Sequence, residues 1–313
     1  MNRLGNCVVV LASFVATTSV FALAPRGGGE PPAPIMTPIQ VSGWNRDVVV
    51  ERTTLPGTYR SAAAPFDLFY EYAFYEAGLM FSAKGLPQGG AFVSLTDGTT
   101  QVQLQPYDAL NSLFLDENEP TGALTFEPGD QVKYDRLSVF AASALTLSDT
   151  VGPMTITFVD DTFVELTYNA YDWYHIVSDN AIIDLGRVRL QGGFEDNSSG
   201  NPRIYQTTFD LAALGLNDRP VKSLTFGLAV YTYPLRSTCI FAVSGAEAQV
   251  AGDLNCDGAL TPEDVSAFAL ALVDPDAYDA SYPSCGALRA DLTHDGVADG
   301  ADIQVFMTLL LQQ

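Results

Sequence analysis

The chain has 313 residues, 47% of them hydrophobic and 11% aromatic, a composition that fits a folded protein of two domains and excludes a disordered one. Its 37 acidic and 15 basic residues give a net charge of −22, which excludes nucleic acid as a partner because phosphate binding needs a basic surface. The acidity is concentrated at the end of the chain, where residues 251–313 hold 11 acids and one arginine, a net charge of −10.

The first residues have the pattern of a signal peptide. Arg3 supplies the positive charge, and residues 7–22 are almost wholly apolar or small. Residues 1–22 are therefore predicted to be removed, with cleavage after Ala24 as the alternative to cleavage after Ala22. The apolar run is short for a bilayer, so we expect a secreted or cell-surface protein with no membrane span in its mature form.

Residues 23–38 are rich in Gly and Pro and are predicted to form a flexible leader. From residue 39 onward, β-branched and aromatic runs alternate with turn signals such as Asp97-Gly98 and Asp160-Asp161, the second at the tip of an expected hairpin. Strands are predicted at 47–52, 90–95, 101–105, 137–140, 154–159, 163–168, 186–191, 205–210, 221–230 and 239–243. The sequence thus predicts a mainly β fold, an antiparallel two-sheet sandwich of jelly-roll style, over residues 39–245.

A cluster of aromatic and polar residues in the predicted sandwich is a candidate sugar-binding site. Aromatic faces can stack on a pyranose while polar groups bond its hydroxyls, and this role is assigned to Tyr171, Asp172, Trp173 and Tyr205. The alternative is that this alternating run buries its rings in the core. A further set of segments resembles a β-sandwich of exported bacterial proteins of unassigned function, and also galactose-binding-like and carbohydrate-binding jelly rolls: 170–173, 185–187, 193–196, 201–205 and 241–245.

Catalytic motifs are absent from the sequence. His175 and His294 are the two histidines, and neither belongs to an H-E-x-x-H zinc motif. The sequence contains no G-x-S-x-G elbow and no E-x-D-x-x-E strand motif. We therefore expect a non-catalytic protein, with a glycoside hydrolase of polysaccharide catabolism as the enzymatic alternative.

The last part of the chain, 246–313, contains one pattern twice, at 253–264 and 291–302. Each copy has oxygen-bearing side chains at positions 1, 3 and 5, Gly at 6 and Asp at 12, and calcium requires about six to eight oxygens arranged in this way. Position 7 offers a backbone carbonyl, and position 9 acts through a water. The predicted ligands of two calcium ions are Asp253, Asn255, Asp257, Ala259, Thr261 and Asp264, then Asp291, Thr293, Asp295, Val297, Asp299 and Asp302.

A helical apolar pattern follows each loop. The predicted buried stripes are Val265, Phe268, Ala269 and Leu272 after the first loop, and Ile303, Phe306, Met307 and Leu310 after the second. Two such helices are expected to bury these stripes against each other.

A duplicated loop and helix with Asp at position 12 resembles the type I dockerin, an EF-hand-like, all-α calcium-binding module. The resemblance implies two calcium ions and docking to a cohesin-like protein. Three features depart from the family: Thr293 at position 3, the pairs 262–263 and 300–301 at the docking positions, and the segment 282–285 between the repeats. We therefore expect this chain to share the calcium binding of the dockerin family more than its docking to cohesin.

Three cysteines remain after the predicted cleavage. A disulfide between Cys256 and Cys285 is expected, since export favours such bonds, and Cys239 is then a buried free thiol. The alternative pairing joins Cys239 to Cys256.

These observations leave three functional hypotheses. In the first, an exported sandwich with a calcium-stabilised module binds a protein or a polysaccharide without catalysis. In the second, a polysaccharide-degrading enzyme or accessory protein is recruited through that module. In the third, the module docks onto its own sandwich and onto nothing else.

Overall fold

The computed structural model describes residues 35–52, 59–60, 64–79, 84–147, 149–175, 178–190, 195–196, 200–283, 285–293 and 295–312. The predicted signal peptide and most of the predicted leader lie outside this part of the chain. Within it, no helix has both the length and the apolar character needed to cross a membrane.

Eighteen strands and three α-helices are formed by the described residues. The strands are β1 Thr37–Pro38, β2 Val41–Ser42, β3 Val49–Arg52, β4 Tyr59–Arg60, β5 Tyr72–Tyr75, β6 Ala91–Val93, β7 Gln101–Gln103, β8 Leu113–Leu115, β9 Thr121–Phe126, β10 Tyr134–Ala144, β11 Val151–Phe158, β12 Phe163–Asn169, β13 Asn180–Ile182, β14 Arg187–Arg189, β15 Glu195–Asp196, β16 Ile204–Asp210, β17 Val221–Gly227 and β18 Ser237–Glu247. The helices are α1 Asp264–Val273, α2 Pro275–Ser281 and α3 Ile303–Leu310, and short 3-10 helices occupy Gln88–Gly90, Pro128–Asp130, Ala287–Ala290 and Gly300–Asp302.

Two antiparallel sheets form the sandwich. The inner sheet has the order β1-β18-β10-β16-β13, with β8 also paired to β18, and the outer sheet has the order β12-β11-β17-β9-β2. Alternate residues of β10 point to opposite faces, so Leu137, Val139 and Ala141 join a core shared with the outer sheet. The prediction of a mainly β, antiparallel architecture is confirmed.

A third, smaller sheet covers the other face of the inner sheet. Its order is β15-β14-β5-β3-β4, and β3 and β5 run parallel. Phe140 and Ala142 of β10 pack in this second core with Phe74 of β5 and Trp173. The strands of the inner sheet are therefore buried on both faces, which the two-sheet prediction did not include.

The hairpin predicted around Asp160-Asp161 is confirmed. Strands β11 and β12 pair from Val151 with Asn169 to Thr157 with Phe163. Asp161 has a φ of 63° at the tip, a conformation that Asp tolerates better than most residues.

A separate core forms in the tail of the chain. It is built around Leu254, Phe268, Tyr278 and Phe306, and all of its members come from residues after 249. The predicted stripes are confirmed in part: Phe268 and Phe306 lie in this core and Leu272 and Leu310 pack against it. The other four predicted members are wrong, because Val265 and Met307 are 43% and 42% exposed and Ala269 and Ile303 also face solvent. Helix α1 instead buries Asp264, Ala267, Phe268 and Ala271, since its inward face must carry the carboxylate that closes the first loop.

Candidate metal centre

The tail is joined to the sandwich by a short connection that is hydrogen-bonded at both ends. The Ala248 N–H donates to the Lys133 carbonyl at 2.8 Å, and the Asp253 N–H donates to the Val250 carbonyl at 3.1 Å. Between them, the Gln249 N–H donates to the Asp135 carboxylate at 3.3 Å. The first loop thus begins only a few residues from a fixed point on the sandwich.

The carboxylate of Asp253, at position 1, organises the first half of the first loop. It accepts the N–H of Asp257 at 3.2 Å and that of Gly258 at 3.0 Å. The Asp257 N–H also donates to Asn255 Oδ1 at 3.0 Å, so side-chain oxygens of positions 1 and 3 lie around one backbone nitrogen. Gly258 has a φ of 90°, which a residue with a Cβ rarely adopts.

The carboxylate of Asp264, at position 12, closes the loop. Its Oδ1 accepts the N–H groups of Leu254 and Asn255 at 2.8 and 2.9 Å, and its Oδ2 accepts the Thr261 N–H at 2.7 Å. Asp264 is fully buried at the start of α1. One side chain therefore connects the beginning of the loop to its end.

The second loop repeats these bonds position by position. Asp291 accepts the N–H groups of Asp295 and Gly296 at 3.1 and 2.8 Å. Asp302 accepts those of Leu292, Thr293 and Asp299 at 2.8, 2.8 and 2.9 Å. The φ of Gly296 is 89°, so the two loops share both their bonds and their turn.

The side chains at position 3 make different hydrogen bonds in the two loops. Thr293 Oγ1 donates toward Asp291 Oδ1 at 3.4 Å, whereas Asn255 Oδ1 accepts a backbone N–H. A threonine hydroxyl is a weaker donor of electron density to a hard cation than an amide or carboxylate oxygen. The second loop therefore has the poorer oxygen set.

Position 9 has a second role in both loops. Thr261 Oγ1 accepts the Glu263 N–H at 3.2 Å, and Asp299 Oδ1 accepts the Ala301 N–H at 2.7 Å. Each side chain therefore satisfies a free N–H at the start of the following helical segment. Capping and a water-mediated role at a metal are compatible, because each uses one oxygen lone pair.

The pKa of Asp302 lies below its usual value. Burial acts to raise it, but the N–H groups of Asp299, Thr293 and Leu292 and the Thr293 hydroxyl outweigh burial by stabilising the charged form. Position 12 of the second loop is thus held as a carboxylate, the form that binds a metal.

Among the described residues, no three His, Cys, Asp or Glu side chains are gathered as a metal-binding group. The predicted ligand sets contain three carboxylates in the first loop and four in the second, and these carboxylates are not gathered into such a group in this structure. Their fit to calcium rests on the donor chemistry, which is oxygen throughout.

Residues outside the loops hold the first loop in place. The Tyr278 hydroxyl donates to the Leu254 carbonyl at 2.7 Å inside the tail core. A disulfide joins Cys256, at position 4, to Cys285, with their Cα atoms 6.0 Å apart. The predicted pairing is confirmed, and Cys239 is a buried free thiol with a raised pKa caused by burial.

Arg289 is a residue that the sequence reasoning did not single out. Its guanidinium donates to Cys256 Sγ, and it lines a cavity of about 500 Å³ between the tail and the sandwich together with Lys133, Glu247, Asp253 and Asp257. The sequence did offer a signal, because Arg289 is the one Lys or Arg among residues 251–313, which hold 11 acids.

The predicted sugar platform does not form an open surface. Trp173 is 2% exposed and packs edge-on against Phe66, and Tyr205 is fully buried. The Tyr205 hydroxyl donates to the carbonyls of Asp172 and His175, both at 2.7 Å. This part of the prediction is corrected in favour of its alternative, since buried rings cannot stack on a ligand.

The other two members of that cluster, Asp172 and Tyr171, also have structural partners. Asp172 accepts the N–H groups of Thr146 and Tyr174 at 3.1 and 2.9 Å, and burial raises its pKa. Tyr171 is half-buried with its ring 5.3 Å from that of Tyr205. Asp172 therefore fixes a turn of the sandwich.

Comparison with protein-family models gives no match, and comparison with curated proteins gives none either. Among solved structures, one match is described as AlgX of Pseudomonas aeruginosa, with 10% identity and a TM-score of 0.24 over 43% of this chain and 26% of the other. Another is the Agl-KA catalytic domain, with 14% identity and a TM-score of 0.25 over 59% of this chain and 28% of the other. The chain thus spans under a third of each of these two structures, and similarity at this level carries no functional argument.

Proposed function

We propose that the tail binds two calcium ions, one in each loop, and that the ions stabilise its fold. The single observation that carries this proposal is the repetition of five backbone-to-carboxylate bonds at the same positions of both loops. The acceptors in all five pairs are the Asp residues at positions 1 and 12, so the repeated sequence gives both loops the same backbone shape, which supports one ligand type for both. Bound calcium would supply positive charge to a segment with a net charge of −10.

The ligands proposed for the first ion are the side chains of Asp253, Asn255, Asp257 and Asp264 and the carbonyl of Ala259, with Thr261 acting through water. Those for the second are the side chains of Asp291, Thr293, Asp295 and Asp302 and the carbonyl of Val297, with Asp299 acting through water. The disulfide and the Tyr278 bond support the first loop alone. We therefore rank the first loop as the stronger site.

The module is proposed to act first on its own sandwich. The bonds from Ala248 and Gln249 to Lys133 and Asp135 support this choice, because a tether of this length leaves the module little freedom. The runner-up is docking to a cohesin-like protein, which the dockerin-like repeat suggests and the altered residues at 262–263 and 300–301 disfavour.

The whole chain is proposed to be an exported, non-catalytic binding protein. The disulfide supports export, since such bonds persist in oxidising compartments. For the alternative of a glycoside hydrolase, the described residues offer Asp67 and Asp172, acids with a pKa raised by burial. Both carboxylates already accept backbone N–H groups of neighbouring turns, which favours a structural role.

Thermal unfolding of the full mature chain in calcium and in EGTA tests the proposal. We expect a transition assigned to the tail to shift upward with calcium concentration, because a ligand that binds only the folded state stabilises it. A melting profile that is the same in both solutions would contradict calcium binding at both loops.

A further inference from the structure

The outer sheet of the sandwich exposes an ordered face of hydroxyl side chains. Strand pairing brings one residue from each of its five strands into a row, and this row consists of Phe163, Thr157, Ser223, Thr125 and Ser42. The next row consists of Glu165, Thr155, Thr225 and Ala123. The opposite side of the same strands carries Ile156, Leu224 and Leu124 into the core.

No described element covers this face. Its outer members are exposed and its central members, Thr155, Thr157, Ser223 and Thr225, are half-exposed. Within the described residues, these four hydroxyls have no hydrogen-bond partner. A row of free hydroxyls repeats about every 4.8 Å across the strands, the spacing of neighbouring strands in a sheet.

The two rows are nearly free of charge, although the chain carries −22, and the charged residues beside them, Asp161 and Lys222, form an ion pair with each other. Glu165 is the one charged residue in the two rows. An anionic polymer would be repelled by the chain as a whole, and a cationic one would find no concentration of acids here. The charge distribution therefore selects an uncharged ligand with many hydroxyl groups.

Phe163 adds an aromatic ring at one end of the first row. It is 64% exposed at the start of an edge strand, where burial in the sandwich does not explain its size. An exposed ring beside a hydroxyl row matches a chain of pyranose rings, whose C–H faces stack on aromatics and whose hydroxyls donate and accept hydrogen bonds.

The shape of the face distinguishes a single polymer chain from a planar solid. Neighbouring strands rotate by roughly 20–25° relative to each other, so the row turns substantially over five strands. A flat crystalline surface cannot follow such a twist, whereas a soluble polysaccharide chain can. Each hydroxyl contact contributes little alone, and repetition along the row supplies the affinity.

We infer that this face binds an extended, neutral polysaccharide chain that lies across the strands along the row from Phe163 to Ser42. The inference names a ligand class for the sandwich and rests on the proposed function only in treating the sandwich as a binding domain. It does not depend on calcium in the tail.

Affinity electrophoresis in native gels tests this inference with the full mature chain. The probes are soluble hydroxyethylcellulose, galactomannan and arabinoxylan, with alginate as the anionic comparison. We expect retardation by at least one neutral polymer and none by alginate. Phe163→Ala and the double variant Thr157→Arg/Ser223→Arg should lose this retardation, whereas the matched controls Leu95→Ala and Thr308→Arg, which alter exposed residues elsewhere, should keep it.

Absence of retardation by all three neutral polymers would overturn the inference, as would equal retardation of wild type and the double variant in samples with the same melting temperature. Retention on microcrystalline cellulose alone would also overturn it, because that result would indicate a planar ligand. The same gels run in EGTA separate the two proposals: retardation that persists without calcium supports the sandwich face, even if the tail binds no metal.

Discussion

The rings of Phe268 and Phe306 are stacked, with centroids 4.1 Å apart and planes within 5° of parallel. Each residue lies four positions after the Asp that closes its loop, at Asp264 and Asp302, so the two rings are equivalent members of the repeat. Both are buried at the centre of the tail core. The contact therefore couples the two loops, because each loop ends in the helix that carries one ring.

Phe306→Ala should destabilise the tail by about 3–5 kcal/mol, the usual cost of removing a buried phenylalanine. Met307→Ala is the matched control, since it shortens a half-exposed neighbour on the same helix. Unfolding in urea, followed by a probe in the tail, measures both. A Phe306→Ala chain as stable as the Met307→Ala chain would show that the stacked pair does not hold the helices together.

Replacing Thr293 should change the second loop in a predictable direction. Thr293→Asp supplies a carboxylate at position 3, where the present hydroxyl donates to Asp291, so calcium affinity of the weaker site should rise. Calorimetric titration should show two steps in the wild type moving closer together in the variant. The control is Thr308→Asp, which adds the same charge outside the loops. A wider gap between the two steps in Thr293→Asp than in the wild type would contradict the ranking of the sites.

Removal of the disulfide should lower stability and weaken the first site. The bond joins residues 29 apart, and closing a loop of this size stabilises by roughly 3–4 kcal/mol in the chain-entropy model. The double variant Cys256→Ser/Cys285→Ser should melt earlier and bind the first ion less tightly. If reduction of the wild type by a dithiol left both quantities unchanged, the bond would have no role in shaping the loop.

The low pKa of Asp97 predicts that the stability of the sandwich falls at acidic pH. Burial acts to raise its pKa, but bonds from Thr100, Thr99 and Gln206 outweigh it and hold the pKa at about 2. A pKa below the unfolded value of about 3.9 means that Asp97 stabilises the fold above that pH and loses this effect as pH falls toward 2.

Asp97→Asn should therefore be less stable than wild type at pH 6, and the difference should shrink between pH 4 and pH 2. Melting temperatures over this range measure the effect. Asp218→Asn, at a largely exposed acid, is the control and should follow wild type throughout. A constant gap between the Asp97→Asn and wild-type curves would show that the titration of Asp97 does not contribute.

The sequence predicts features whose cause is local. The hairpin at Asp160-Asp161 follows from turn chemistry, and the two loops share their backbone-to-carboxylate bonds because Asp recurs at positions 1 and 12 of each. Calcium binding by these loops stays a prediction. The disulfide was also predictable, because export and three cysteines leave few pairings.

Features set by distant contacts were not predictable. The sequence around Trp173 alternates as an exposed strand does, yet the third sheet covers this residue. The local sequences of β3 and β5 do not indicate that these strands form an additional layer. The inward phase of α1 is set by burial of Asp264, a charged residue that a hydrophobic pattern assigns to the surface. The hydroxyl face depends on how five strands pair with one another, and the sequence of each strand does not specify that register.

Native mass spectrometry of the mature chain in millimolar calcium is the most direct test of the central claim. The account predicts two bound calcium ions per chain, one ion in Asp264→Asn and one in Asp302→Asn. A wild-type chain that carries no calcium under these conditions would contradict it.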